Sequence, residues 1–359
     1  MADLRARAWL LYGANGYTGE LVAREAVRRG LAPILAGRRR ETLEPLAHEL
    51  GLELRVFGLE DPEALGAGLA GAAVVLHAAG PFVRTSRPMV EACLAAGCHY
   101  LDITGEVAVF EAIYRRDEAA RAAGVALVPG VGFDVVPSDA LAARLAAELP
   151  GAERLDLAFA GSRGTTSSRG TLVTMLEGLP AIGWERRDGR LVAVRPLARQ
   201  LEIDFPGLGR RRVTQIPWGD LASAFRTTGI PNLRTFAAMP PRAVRILRLL
   251  RPLLPLAGRP AIKARLQARV RRTVSGPSAE VRERSRMHLW ARATAPDGTS
   301  IERTLTTPEG YTLTAITAVE AARRALAGEL RPGAWTPTQA FGEALLEALG
   351  GDGTRGARA

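Results

Sequence analysis

The stretch Gly13-Ala14-Asn15-Gly16-Tyr17-Thr18-Gly19 decides the fold of this chain. It follows the apolar run Ala8–Tyr12 and precedes a helical pattern. A strand, a glycine turn and a helix in this order predict a cradle for dinucleotide phosphates, because the helix N-terminus presents free N–H groups and a partial positive charge. Gly13 would permit the tight turn, Gly16 the approach of a pyrophosphate, and Gly19 close packing of the helix on the strand. The alternative is an ordinary strand–helix turn that is rich in glycine.

Short apolar segments alternate with amphipathic helical patterns from residue 8 to about residue 130. Such alternation predicts a parallel sheet that helices cover on both faces. Together with the glycine turn after the first strand, it predicts an α/β fold in which residues 1–137 form a doubly wound Rossmann domain. The predicted strands are Ala8–Tyr12, Pro33–Ala36, Glu53–Phe57, Ala73–His77, His99–Ile103 and Val125–Val128.

The pattern changes after about residue 150, where strand-like segments follow one another with tight turns between them. Asp188-Gly189 is a hairpin signal, and Pro296-Asp297-Gly298 is a second one. Strands joined in this way predict a mixed or antiparallel sheet. We therefore expect a second, α+β domain over residues 138–308 that supplies the substrate contacts. Helices over residues 309–359 are expected to pack back on the first domain.

Three arginines follow the second predicted strand, in the sequence Gly37-Arg38-Arg39-Arg40. Dinucleotide folds that prefer NAD place an acidic residue here to hold the ribose 2′-hydroxyl. Arginine instead pairs with a phosphate through two parallel hydrogen bonds. The sequence therefore predicts NADP, with Arg38 as the first candidate for the 2′-phosphate and Arg39 as the second. The alternative is a solvated start to the next helix.

The loops after the fourth, fifth and sixth strands are expected at the same edge of the sheet as the glycine turn. In the first of these loops, Ala79, Gly80 and Pro81 are small or rigid and would let the cofactor lie against the backbone. His77 ends the strand before that loop, where a histidine is more often structural than a proton donor.

Polar side chains in the next two loops are the positional candidates for catalysis. Thr104 and Glu106 follow the fifth strand, and Asp134 follows the sixth. Reduction of a conjugated double bond needs a group that polarises the carbonyl and a source of a proton. For Glu106 and Asp134, structural hydrogen bonding is an equally good interpretation.

The composition excludes several classes of protein. The 359 residues carry a net charge of +11 and are 47% hydrophobic and 24% charged, as in a globular protein of two domains. Two cysteines, Cys93 and Cys98, form no metal set or disulfide framework, so no metal is expected. No nucleic-acid partner is expected, because aromatic residues make up only 5% and no zinc-finger spacing occurs. The first residues lack the apolar core of a signal peptide, so a cytoplasmic location is expected.

Leucines and arginines interleave over residues 242–272, where Pro252 and Pro255 interrupt the helical pattern. The apolar part is shorter than the roughly 18 residues that cross a bilayer. A basic amphipathic helix can instead lie on an anionic membrane such as the inner face of the plasma membrane. The alternatives are packing on its own domain or against a homodimer partner. The basic surface also suits an acidic carrier protein.

A set of motifs resembles the saccharopine dehydrogenase-like, NADP-binding oxidoreductases, and within them the branch of trans-acting enoyl reductases. These motifs run over most of the chain and comprise Tyr12–Gly19, Leu35–Arg38, Ala79–Phe82, Tyr100–Glu106, Pro129–Asp139, Pro217–Asp220, Thr228–Asn232 and Thr307–Tyr311. The resemblance implies an NADPH-binding Rossmann domain and an α+β second domain. It carries over no catalytic residue, so the catalytic candidates rest on position alone.

Three functions follow as hypotheses. The enoyl-reductase branch implies reduction of an acyl-chain double bond during polyketide or lipid assembly, with an apolar acyl substrate on a carrier. The first alternative is a saccharopine dehydrogenase-like enzyme acting on an amino acid or imine, for which Arg163, Arg169 and Arg226 would bind carboxylates. The second, from a resemblance to animal relatives, is a non-enzymatic NADP-binding protein at lipid surfaces, linked to glycolipid metabolism.

Overall fold

A computed structural model describes residues 8–162, 164–178 and 183–349 of the chain. The described residues divide into two compact units. Unit 1 comprises residues 8–136 and 311–349, and unit 2 comprises residues 137–310. The predicted boundaries fall at residues 137 and 308, and residues 350–359 of the predicted C-terminal segment lie outside the described residues.

Unit 1 is built on a sheet of seven parallel strands. Its strands are β1 (Trp9–Tyr12), β2 (Ile34–Gly37), β3 (Leu54–Val56), β4 (Val74–His77), β5 (His99–Asp102), β6 (Ala126–Val128) and, numbered in chain order, β15 (Gly333–Ala334). The spatial order is β15-β6-β5-β4-β1-β2-β3. This order reverses between β1 and β4, where doubly wound sheets bind dinucleotides at the carboxyl ends of the strands. The predicted Rossmann fold is confirmed.

Helices connect these strands and bury one apolar face each. In α1 (Tyr17–Arg28) the buried residues Gly19, Val22, Ala23 and Ala26 recur at helical spacing. The other helices of this unit are α2 (Arg40–Leu50), α3 (Pro62–Leu69), α4 (Phe82–Ala96), α5 (Val107–Tyr114), α6 (Asp117–Ala122), α14 (Gly310–Leu326), α15 (Pro337–Phe341) and α16 (Ala344–Glu347).

The C-terminal segment completes unit 1 with a helix and a strand. Helix α14 is fastened to the loop after β6, where the Phe133 N–H donates to Thr314 Oγ1 (3.0 Å) and Thr317 Oγ1 donates to the Val131 carbonyl (2.8 Å). Strand β15 adds the seventh strand beside β6. The sequence pattern does not predict β15, because a two-residue strand that begins at the glycine of a Pro-Gly pair carries no strand signal.

Unit 2 contains a mixed sheet, as predicted. Its strands are β7 (Arg154–Gly161), β8 (Gly183–Arg187), β9 (Arg190–Val194), β10 (Gln200–Phe205), β11 (Gly209–Gln215), β12 (Asn232–Ala238), β13 (Arg286–Thr294) and β14 (Ser300–Pro308). The order is β10-β11-β12-β7-β13-β14, with β8 beside β12 and β9, and only β7 and β12 pair in parallel. Asp188 and Gly189 both have positive φ (47° and 74°), as the predicted hairpin turn requires.

Helices of unit 2 follow the sheet strands and include the leucine–arginine segment. They are α7 (Val136–Glu148), α8 (Arg169–Glu177), α9 (Asp220–Thr228), α10 (Pro241–Leu249), a 3-10 turn (Arg251–Leu253), α11 (Leu254–Ala257), α12 (Pro260–Thr273) and α13 (Ala279–Arg284). The segment 242–272 is thus helical but broken around its prolines. None of the helices in the described parts of the chain has the length and apolar character needed to cross a bilayer.

Candidate active site

The glycine turn after β1 requires glycine at its first position. Gly13 has φ +89°, a conformation that other residues rarely adopt. A Cβ atom on Gly13 would lie 2.8 Å from both the Cβ and the N of Ala79, in the loop after β4. The Gly13 N–H donates to the Ala36 carbonyl of β2 (2.8 Å). The turn is therefore fixed between the two strands that flank β1.

The other two glycines place the start of α1. A Cβ on Gly19 would collide with the Gly13 carbonyl oxygen and lie 2.8 Å from Ala14 Cα, so this glycine permits the close approach of helix and turn. Gly16 is the N-cap residue, and no side chain caps the helix there. The half-buried Tyr17 and Thr18 begin the first turn. The free N–H groups and the partial positive charge at this helix end favour the binding of an anion.

The loop after β2 places two cations beside this turn. Arg38 and Arg39 are exposed, and neither guanidinium forms a hydrogen bond or ion pair within the described residues. Arg40, in contrast, lies 3.6 Å from Glu44. Asn15 joins the two loops, since its Nδ2 donates to Thr42 Oγ1 (3.0 Å). Uncompensated arginines at this edge fit the 2′-phosphate of NADP.

The loop after β4 lies against the glycine turn, as the Gly13–Ala79 approach shows. Ala79 and Pro81 are half-buried, Gly80 is exposed, and the Gly80–Pro81 peptide bond is cis. Thr85 Oγ1 donates to the Ala79 carbonyl (2.7 Å), which ties the loop to the first turn of α4. The loop therefore lies beside the glycine turn, and its contact with the cofactor stays a prediction.

His77 has a structural environment. It is fully buried, and its ring lies 5.5 Å from the ring of Tyr12 and 5.4 Å from that of Phe82. Burial lowers the pKa of His77 to about 3, so the imidazole is neutral near pH 7. Its Nε2 lies 3.0 Å from Thr85 Oγ1, whose own hydrogen goes to the Ala79 carbonyl. The ring therefore supports the loop after β4.

Asp102 clamps the loops after β5 and β6. Its Oδ1 accepts hydrogen bonds from the N–H groups of Thr104 (3.0 Å) and Gly130 (2.8 Å), and its Oδ2 accepts one from the Tyr100 hydroxyl (2.7 Å). Burial raises the pKa of Asp102 to about 6, although these hydrogen bonds oppose the shift. Sequence reasoning missed this role, because two of the groups that donate to the carboxylate lie in loops after two different strands, β5 and β6.

Thr104 and Glu106, two of the catalytic candidates, help to fix the loops around them. Thr104 is fully buried, and its hydroxyl accepts a hydrogen bond from the Glu106 N–H (3.1 Å). Both carboxylate oxygens of Glu106 accept hydrogen bonds at the start of α4, from the N–H groups of Phe82 (2.7 Å) and Val83 (3.0 Å). Glu106 therefore holds the loop after β4 against the loop after β5, in the manner of a helix cap.

Asp134 has the chemistry of a proton donor. Desolvation first, and repulsion by Glu106 second, raise the pKa of this half-buried carboxyl to about 7. A Cβ on Gly105 would lie 2.5 Å from Asp134 Oδ2, so the glycine leaves room for this carboxyl. A carboxyl group whose pKa lies near 7 is about half protonated at neutral pH, which suits general acid catalysis.

Tyr311 is a residue of this site that position along the strands does not reveal. It begins the body of α14, and its ring meets the ring of Tyr17 edge-on at 5.0 Å. Helix α14 thus lies against the first turn of α1. The motif Thr307–Tyr311, which ends on this tyrosine, is the only sequence signal for the contact.

Two of the three arginines predicted for an amino-acid substrate lie in different helices of unit 2. Arg169 lies at the start of α8, where its Nη1 donates to the Arg271 carbonyl (3.4 Å), and Arg226 lies in α9. Arg163 is outside the described residues. Among the described residues, no group of three or more His, Cys, Asp or Glu side chains is placed to hold a metal ion.

Known proteins resemble the first domain most clearly. Residues 9–128 match the family model of the saccharopine dehydrogenase NADP binding domain. The trans-acting enoyl reductase of Mycobacterium leprae is 38% identical over 145 residues, which cover 38% of this chain and 35% of the relative. The saccharopine dehydrogenase-like oxidoreductase of Bos taurus is 31% identical over 150 residues, covering 36% and 35%. The match thus spans about a third of the length of these relatives.

A solved structure extends the likeness to the whole fold. The apo saccharopine dehydrogenase (L-Glu forming) of Saccharomyces cerevisiae superposes with a TM-score of 0.67 over 98% of this chain and 99% of that chain. At 13% identity this shows a shared fold. The domain match confirms the predicted cofactor, NADP, and the resemblance predicted from the motifs. Residues 9–128 therefore form a saccharopine dehydrogenase-type NADP-binding domain.

Proposed function

We propose that this protein is an NADPH-dependent oxidoreductase that reduces a carbon–carbon double bond of an acyl or polyketide-type intermediate. Asp134, a carboxylic acid with a raised pKa at the dinucleotide edge of the sheet, is the observation that carries the proposal. The likeness of about a third of the chain to trans-acting enoyl reductases supports the choice of substrate. The net charge of +11 supports presentation of the acyl chain by an acidic carrier protein.

Different residues of the site have different roles in such a reduction. The glycine turn and α1 would hold the pyrophosphate, and Arg38 with Arg39 would hold the 2′-phosphate. NADPH bound in this way would supply a hydride for the electron-poor β-carbon of a conjugated thioester. Asp134 supplies the proton that the α-carbon needs, and water then reprotonates Asp134. Glu106 positions the loops and keeps the pKa of Asp134 high.

The test is NADPH oxidation by the purified protein with enoyl thioesters of coenzyme A and of an acyl carrier protein. We expect turnover that Asp134→Asn lowers by about 10²–10⁴-fold, the usual contribution of a general acid. A parallel assay offers an α-keto acid with an amino acid, which form an imine. Turnover with the imine alone would select the saccharopine dehydrogenase-like alternative. Tight NADPH binding with no turnover in either assay would select the non-enzymatic one.

We propose in addition that the surface formed by α10, the 3-10 turn and α11 contacts an anionic membrane, such as the inner face of the plasma membrane. Six large apolar side chains are exposed there, led by Leu249 at 74%: Ile246, Leu247, Leu249, Leu250, Leu253 and Leu256. Val244 is buried and Arg248 donates to the Leu197 carbonyl (2.7 Å), so these two residues anchor α10 and leave the leucines outward. Arg242 and Arg245 are exposed on the same helix and complement anionic headgroups.

Vesicle flotation tests this membrane contact. Wild-type protein should float with vesicles rich in phosphatidylserine and stay behind with neutral vesicles. Leu249→Glu should abolish flotation, because it places a charge where the apolar surface enters the lipid. Val27→Glu, at an exposed position of α1, is the matched control and should float normally. Equal flotation of both variants would contradict the proposed surface.

A further inference from the structure

Unit 2 contains a cleft whose lining includes none of the residues assigned to the cofactor or to catalysis. It lies where β7 begins and has a volume of about 530 Å³. Clefts of this size hold small molecules. Its charged lining consists of five arginines and two glutamates: Glu153, Arg154, Glu185, Arg186, Arg187, Arg199 and Arg234. We call it the arginine cleft.

Strand register brings these side chains to one face of the sheet. Asp156 of β7 pairs with Arg234 of β12 on one side and with Arg292 of β13 on the other. Arg154 lies two residues before Asp156 and so shares its face. On the same face, farther along β7, Ala158 belongs to the apolar cluster of the unit. The arginine cleft is therefore the charged end of an otherwise apolar sheet face.

Buried carboxylates hold the arginines in place. Asp156 is fully buried and accepts two hydrogen bonds from Arg234 (2.7 and 2.8 Å) and one from Arg292 (3.2 Å). Glu185, also buried, accepts hydrogen bonds from Arg187 and from Gln215 Nε2 (3.0 Å). Each guanidinium has five N–H donors, so arginines fixed in this way keep donors for a ligand.

The cations of the arginine cleft outnumber its anions. Arg154 is exposed and has no hydrogen bond or ion pair within the described residues. Arg199 is 54% exposed and lies 3.8 Å from Glu185, beyond hydrogen-bond distance. The guanidinium of Arg186 is already engaged, because its Nε donates to the Leu221 carbonyl (2.6 Å) and it stacks on Phe225. Arg154 and Arg199 are therefore the arginines most open to an anion.

We propose that the arginine cleft binds a small phosphorylated ligand. Planar guanidinium groups match phosphate oxygens through paired hydrogen bonds, and a phosphate carries enough oxygens to meet arginines from several strands at once. A charge of two or more on the ligand balances the excess of cations, which a single carboxylate does not. The site is additional to the dinucleotide cradle of unit 1.

Calorimetric titration with inorganic pyrophosphate tests the arginine cleft. The protein is first saturated with NADP⁺, so that the cradle in unit 1 does not compete for the probe. We expect the double variant Arg154→Gln/Arg199→Gln to bind pyrophosphate at least tenfold more weakly than wild type. Both side chains are exposed and neither is the main partner of a buried carboxylate, so the fold should persist.

The double variant Arg265→Gln/Arg269→Gln removes the same charge from exposed positions of α12 and is the matched control. Equal loss of affinity in both double variants would overturn the proposal, as would the absence of pyrophosphate binding to wild type. Glutarate, a dicarboxylate probe, should bind more weakly than pyrophosphate, and the reverse order would also overturn it. NADP⁺ affinity should be unchanged in both variants, so failure here leaves the proposed reductase activity to its own test.

Discussion

Asp134 shows how strongly the fold changes the chemistry of a residue. In the sequence it is one acid in a glycine-rich loop, equally suited to hydrogen bonding and to catalysis. In the structure, burial and the nearby Glu106 raise its pKa to about 7. The two acids are 28 positions apart in the chain, so no local pattern predicts their interaction. The sequence could therefore name the residue but not its protonation state.

The raised pKa of Asp134 makes stability depend on pH. A carboxyl whose pKa is higher in the folded state stabilises the fold fully below the unfolded value near 3.8, and this contribution is lost as the pH rises through about 7. Denaturant unfolding of wild type and Asp134→Asn at several pH values measures the difference. Between pH 5 and pH 8, wild type should lose about 2–3 kcal/mol of unfolding free energy relative to the variant. Parallel curves would show that Asp134 is not perturbed.

Arg38 is predicted to distinguish NADPH from NADH. A charge-assisted pair with the 2′-phosphate contributes about 1.5–3 kcal/mol, so Arg38→Glu should weaken NADPH binding by at least tenfold. NADH affinity should change little, because it lacks that phosphate. Arg40→Glu is the control, since Arg40 lies near Glu44 on the surface of α2. Quenching of protein fluorescence by each cofactor gives both affinities, and an equal loss for NADPH and NADH would refute the role.

Among the elements, strands β1 to β6 of unit 1 were predictable, because most of them are short apolar runs between amphipathic helices. Strand β3 is the least buried of them and sits at the sheet edge, yet its position was still predicted. Strand β15 was not predictable, because its two residues take their place only through pairing with β6. The arginine cleft was equally hidden, since its side chains come from strands more than 70 residues apart, such as Arg154 and Arg234.

The start of α1 depends on glycine at position 19. Gly19→Ala should destabilise the protein by roughly 1–3 kcal/mol, because the added Cβ meets the backbone of the glycine turn, which cannot yield easily. NADPH affinity should fall with it. Gly66→Ala is the matched control in α3, where a Cβ meets nothing within 4 Å and should stabilise by roughly 0.5–1 kcal/mol. Thermal unfolding distinguishes the two, and equal effects would contradict the packing described for Gly19.

At the scale of the whole molecule, the two units differ in what they indicate about function. Unit 1 has the domain match and a cofactor cradle whose residues lie together in sequence and could be read from motifs. Unit 2 contains the exposed leucines and the arginine cleft, while the fold likeness to the yeast enzyme covers 98% of the chain. Because the match covers only about a third of the length of the curated relatives, the substrate has to be identified by enzyme assays.

Isotope transfer tests the proposed reaction most directly. NADPH deuterated at the transferable position is incubated with the protein and an enoyl thioester in ordinary water, and the product is analysed by mass spectrometry and NMR. The proposal predicts one deuterium at the β-carbon of the saturated thioester and hydrogen from water at the α-carbon. A thioester recovered without deuterium, or a product labelled at the α-carbon, would contradict it.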